Sequence, residues 1–193
     1  MSDPIFETDD DIDAIAELCI RLAQAGKRIT SRAMVRTGIS TFVPKPFTPF
    51  QWAAQLSLED TCNKQRRLAA LIRPPRNIKF EKHAPESSFI EGLLSRADRR
   101  AAPLLESVLR LGGGYETWEE KLNFAVWRAA IAETAYPVES RQAERPLTAR
   151  LPWSHMDAQV QTACLKAEWE RSSQSVYTPG VRAGLCNFCG GLR

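Results

Sequence analysis

Two cysteines near the C-terminus, Cys186 and Cys189, form a CxxC backed by Gly190 and Gly191. Thiolates at this spacing can share one metal ion, because the turn between them lets both sulfurs face one point. A single CxxC supplies only half of a tetrahedral zinc site. A redox CxxC opens a helix that lowers the thiol pKa, whereas glycines follow this one. A partial metal site, free thiols and a redox pair all stay open on the residues alone. His155 stands between Trp153 and Asp157. It reads as part of a helix entry in which Trp153 packs and the His–Asp pair bonds locally; a small zinc site built from Cys186, Cys189 and His155 is the alternative. His83, just before Ala84 and Pro85, reads as structural. Arg96, Arg99 and Arg100 fall within about one helical turn and are expected on a solvated face, with an acidic partner surface as the alternative. There is no Ser–His–Asp order, HExxH, Walker loop or GxGxxG. The triple glycine at 112–114 follows a helix rather than a strand, so it stops that helix and cradles no phosphate.

The elements that would position these groups are mostly helical. Thr8 caps a helix that carries Asp9, Asp10 and Asp11 in its first turn, where the helix dipole favours negative charge. Ile12, Ile15, Ala16, Cys19, Leu22 and Ala23 share one stripe of it, and Gly26 is expected to close it. A strand follows over residues 36–43, with Thr37, Ile39, Thr41 and Val43 alternating against Gly38, Ser40 and Phe42. Pro44, Pro46 and Pro49 then end any ladder and stiffen the segment carrying Lys45, Phe47, Phe50 and Trp52. No second strand of comparable quality follows; Ile78 to Phe80 is a weak candidate. Ser57 with Asp60 caps a helix running to Pro74. A short helix opens at Ser87 or Ser88, and Ser95 with Asp98 caps the next. Thr117 with Glu120 forms a capping box for a helix at 118–132, apolar on two sides and so expected in the core. Residues 136–150 read as a surface linker, and a last helix spans about 158–172.

Composition narrows the class. The chain has 193 residues, 44% hydrophobic and 25% charged, and 26 basic residues stand against 23 acidic ones. That balance argues for neither nucleic acid nor an anionic membrane. No apolar run reaches the roughly 18 residues a membrane span needs. Five cysteines, three of them scattered at 19, 62 and 164, do not make a disulfide framework. The acidic N-terminus has no signal-peptide pattern, so the expected compartment is the cytoplasm.

The order of the pieces carries a resemblance. ETDDDIDAIAEL, FVPKPFTPFQW, KQRRLAALI, SFIEGLLSRADRR, YETWEE, LPWSHMD and a terminal CxxCG, taken together, resemble the C-terminal part of a radical S-adenosylmethionine family with a cobalamin-binding-type domain. The resemblance covers about Glu7 to Gly190, and VPKPFTPFQW and SRADRR are its most specific elements. It implies a mainly α fold: one αβ unit (residues 1–52) forming the edge of a partial TIM-type barrel, a helical domain (53–135), then a linker, terminal helix and CxxC tail (136–193). It makes the helix from Thr8 to Gly26 the last helix and residues 36–44 the last strand of the barrel that holds a 4Fe–4S cluster and S-adenosylmethionine, possibly with cobalamin. Phe42, Val43 and Pro44 would then lie beside the adenine of the cofactor, and Cys186 and Cys189 would be what is left of a metal site. The family's CxxxCxxC cluster motif is absent from this chain. No cofactor is therefore expected on the chain alone, and radical chemistry would need a separately encoded barrel half. The alternative is a helical interaction module that docks on such a partner through Phe47, Phe50 and Trp52.

Overall fold

A computed structural model describes residues 7–73, 76–114 and 121–177. Among them are seven α-helices and one two-stranded parallel sheet. No helix among these residues is long and apolar enough to cross a membrane. The chain forms two compact units, one from residues 7–42 and 56–89, the other from residues 43–55 and 90 onward. Neither is a continuous piece of sequence.

The first unit is built from two helix–strand repeats. Helix α1 (Asp9–Ile29) begins with a complete capping box: the Thr8 hydroxyl accepts the Asp11 N–H at 3.3 Å, and the Asp11 carboxylate accepts the Thr8 N–H at 2.7 Å. The helix does not stop at Gly26. It runs one turn further, to a Thr30 cap whose N–H reaches the Gly26 carbonyl. Gly26 is there for proximity, since a Cβ would sit 3.1 Å from that of Ala33 as the chain turns back. Strand β1 (Val35–Ile39) is shorter than its alternation suggests, and its length is set by its neighbour. Helix α2 (Leu58–Ile72), capped by Ser57 as expected, leads to β2 (Ile78–Lys82), which pairs parallel with β1 from Val35↔Ile78 to Ile39↔Lys82. The weak candidate strand is thus the partner, and β1 is not alone. The last bond runs from the His83 N–H to the Ile39 carbonyl, because Pro85 then starts helix α3 (Pro85–Ser95).

Both helices of this unit cover the same face of the sheet. Ile12, Ala16 and Cys19 of α1 meet Leu68 and Ile72 of α2, with Ile39, Ile78 and Phe80 beneath them. Arg36, Gly38, Lys79 and Glu81 occupy the other face, which is exposed. Asn77 ties the layers together. It is buried, and its amide donates to the carbonyls of Ala23 (3.0 Å) and Ala33 (3.3 Å) while its own carbonyl accepts the Val35 N–H.

The second unit collects the proline-rich segment and most of the remaining helices. Residues 49–52 form a 3₁₀ turn. Trp52 and Ala53 pack with Leu151, Trp153, Leu165 and Trp169, and Phe47 and Phe50 lie against them. Trp52 is 1% exposed, so the residues expected to dock on a partner are part of this unit's own core. Helix α4 (Ala102–Arg110) ends at the glycines as expected, with the Gly113 N–H on the Val108 carbonyl and Gly112 at φ +90°. Helix α5 (Phe124–Thr134) buries Trp127 and Ala130 but leaves Ala125, Arg128 and Ala129 exposed. It is covered on one side only, so its two apolar sides do not make it central. The capping box at Thr117 and Glu120 lies outside the described residues.

The segment read as a surface linker contains helix α6 (Val138–Gln142), and Tyr136 and Arg141 in it are buried. Its polarity misled because Arg141 is carried inward by Asp98, a carboxylate distant in sequence. The last helix, α7 (Thr162–Ser173), starts a turn later than the sequence suggests.

Asn77→Ala should lower the unfolding free energy by about 2 kcal/mol in urea denaturation, since it strands two carbonyls and a buried space. Asn77→Asp should cost more than Asn77→Ala, because it aims a carboxylate at those same carbonyls.

Candidate functional site

Three sequence segments meet in the second unit: VPKPFTPFQW, SRADRR and LPWSHMD. The Trp153 indole N–H donates to the Gln51 side chain at 2.7 Å, and that same oxygen receives the Phe47 N–H at 3.2 Å. Phe47 has a positive φ of 58°, and the bond from Gln51 holds it there. The Ser95 hydroxyl donates to the Pro44 carbonyl at 3.1 Å. Ser95 therefore ties down the proline segment and does not cap the helix after it. Asp98 caps the next turn instead, accepting the Arg100 N–H.

Arg96 is fully buried, not part of a solvated face. Its guanidinium donates to the Ala53 carbonyl at 2.6 Å and the Ala143 carbonyl at 2.9 Å, and no carboxylate faces it among the described residues. Burial, with Arg145 nearby, pushes its pKa down to about 10, so it remains charged at neutral pH. The segment at 143–145 is held from the other direction too, because the Arg145 N–H bonds the Trp52 carbonyl at 2.8 Å.

Asp98 is the one carboxylate in a group of arginines. Arg100 grips it through Nη2 at 2.6 Å and through Nε, and Arg141 reaches it at 3.1 Å. The Arg100 side chain first, then its backbone N–H and the Arg141 charge, hold the Asp98 carboxyl well below the usual carboxylate range. Arg141 lies over the Tyr136 ring at 5.8 Å, and Arg145 over the Trp153 ring at 5.5 Å. Burial and the Arg141 charge lower the Arg145 pKa, and burial raises that of Tyr136.

These groups wall a cleft of about 520 Å³ between the turn at Asp98–Arg100, helix α6 and the start of LPWSHMD. Arg99, Arg100, Arg141, Arg145 and Arg150 line it, with His155 at its edge. The arrangement gathers guanidiniums whose forks match oxyanions, and it opposes a cation. That counts against zinc at His155, which is exposed on the wall of this cleft. The expected local His–Asp bond is replaced, since Asp157 receives the Gln159 N–H at 2.7 Å. A second recess, of about 390 Å³, lies against Trp52 and Trp153 and shares the His155 wall.

Other candidates from the sequence fall elsewhere. Phe42 is exposed just beyond β1, while Pro44 is buried, its carbonyl held by Ser95. Cys186 and Cys189 lie outside the described residues. His83 is structural through its main chain, its carbonyl accepting the Gln65 amide at 3.0 Å. Cys19 is buried with its sulfur 3.5 Å from the Thr37 hydroxyl, and no group of three metal-ligating side chains occurs among the described residues. These residues do not fit an iron–sulfur cluster. Comparison with known proteins finds no matching family model, no matching curated protein and no matching solved structure.

Two tests address the arginine framework. Arg96→Ala should cost about 3 kcal/mol or more in chemical denaturation by orphaning two buried carbonyls, and Arg96→Lys should recover less than half, because an ammonium lacks the fork that spans both. Asp98 is ionised in the folded protein at every ordinary pH, so its stabilisation is present above the unfolded carboxyl pKa and is lost on acidification. Asp98→Asn should therefore be less stable than the parent by about 1–2 kcal/mol at pH 7. That gap should start to close below about pH 4, where the unfolded carboxyl takes its proton.

Proposed function

We propose that this chain is the C-terminal part of a radical S-adenosylmethionine protein, its helix–strand repeats forming the edge of the barrel and the helices beyond forming a C-terminal extension. The observation that carries this reading is the α1–β1–α2–β2 order, with parallel pairing and both helices on one face. Repeated helix–strand pairs of this kind build α/β barrels and open sheets. Parallel sheets rarely stand at two strands, and the outer edges of β1 and β2 have no neighbour among the described residues. An unpaired edge is a ready place for a further strand. The exposed sheet face, with Arg36, Lys79 and Glu81, has the polar character a barrel interior with a charged cofactor requires.

Phe42, Val43 and Pro44 follow the carboxyl end of β1, the end at which ligands bind in parallel α/β sheets. That placement supports their assignment beside S-adenosylmethionine, through apolar and main-chain contact. The cluster's ligands would belong to a barrel half that carries CxxxCxxC. A cluster held there would supply the electron for reductive cleavage of S-adenosylmethionine, and this chain would supply part of the barrel wall.

Mixing the chain with a CxxxCxxC-bearing barrel half, without oxygen, should give a stable complex on size exclusion. Only the mixture should convert S-adenosylmethionine to 5′-deoxyadenosine under reducing conditions, and amides 35–39 should gain exchange protection in it. Amides at 35–39 that are the slowest to exchange in a monomer, with no complex formed, would sink the reading.

A further inference from the structure

We propose that the arginine-walled cleft between the Asp98 turn, α6 and the start of LPWSHMD binds a small ligand through a phosphate group. The inference stands on the second unit alone and does not rest on the barrel reading.

The first ground is charge. Five guanidiniums line the cleft, and the one carboxylate among the lining residues, Asp98, is already shared by Arg100 and Arg141. Among the described residues Arg99 and Arg150 have no acidic partner. Like charges gathered in a concave, partly dry place repel one another more strongly than on an open surface. Burial first, and then the Arg141 charge, lower the pKa of Arg145 in this setting. A bound dianion or trianion relieves the repulsion.

The second ground is burial. Arg141 is 8% exposed, and its Nε has no hydrogen-bond partner among the described residues. The hydroxyl of Tyr136, whose ring lies under that guanidinium, is also buried and without one. Such groups ordinarily find partners, so Arg141, which lines the cleft, has donor capacity to spare.

The third ground is pre-organisation. Arg145 is fixed from below, its Nη2 donating to the Arg96 carbonyl at 3.2 Å and its plane lying over Trp153. Asp98 orients Arg100 and Arg141. Guanidiniums held this way keep their forks ready for an oxyanion, with little side-chain entropy left to lose. A volume of about 520 Å³ suits a phosphorylated metabolite, and a recessed Arg141 is out of reach for a flat macromolecular surface. Phosphate fits better than a monocarboxylate because a single negative charge would leave most of the excess unneutralised.

Calorimetric titration of the full chain with pyrophosphate, then orthophosphate, at low salt tests this. Saturable binding is expected, weakened about tenfold or more by Arg99→Gln and by Arg150→Gln. Both residues line the wall without a described partner and add to its repulsion, so the unliganded melting temperature should not fall in either variant. Arg66→Gln, on an exposed arginine of the other unit, should leave binding intact. Absence of saturable binding, or equal weakening by Arg66→Gln, would overturn the site. Tighter binding of succinate than of pyrophosphate would overturn the phosphate assignment.

Discussion

A guanidinium with no exposure to water and no carboxylate beside it is the constraint on which the second unit depends. Arg96 spans the carbonyls of Ala53 and Ala143, residues far apart in sequence that must stay a fixed distance from one cation. Burying an arginine in this way is tolerable only where hydrogen bonds replace the lost water. The backbone around 53 and 143 is therefore not free to move independently. Arg145 then locks the same two strands of chain in the opposite sense, with its N–H on the Trp52 carbonyl.

The cleft follows from that frame. With residues 143–145 held against 52–53, helix α6 and Arg145 are carried to the side of the Asp98 turn. Trp153, anchored by Gln51, brings Leu151, Pro152 and His155 to the remaining wall. Two of the guanidiniums rest on aromatic rings, Arg145 on Trp153 and Arg141 on Tyr136, and this helps the arginines to crowd together. Arg100 and Arg141 turn their charged ends to the single carboxylate, Asp98. Structure and charge are thus served by the same residues: Arg96 and the Arg145 main chain hold the unit, while their neighbours create the field.

The first unit works by a different logic. Its strands contribute little by themselves, and the apolar seam of α1 and α2 over Ile39, Ile78 and Phe80 holds the layer together. Asn77 closes the one place where the helix end, the turn and β2 all expose carbonyls or N–H groups. The two helix–strand repeats leave one sheet face polar and exposed, and a sheet edge that another strand can extend.

Capped helix starts at Thr8 and Ser57 and the glycine stop after α4 were legible in the residues, because caps and stops act through near neighbours. The strand near Ile39 was legible by alternation, but its length was not: β2 decides where pairing ends, and only three-dimensional proximity brings β2 there. The buried arginines were illegible for a related reason. Arg96 and Arg141 look like surface residues in any local window, and only partners far off in sequence, Ala53 and Ala143 for the one and Asp98 for the other, make their burial bearable. Sequence by itself determined a mainly helical chain with a parallel-sheet element and no local active-site motif. Tertiary structure alone decided that three separated segments converge on one cationic cleft, since charge density in space depends on which residues meet and not on how many the chain contains.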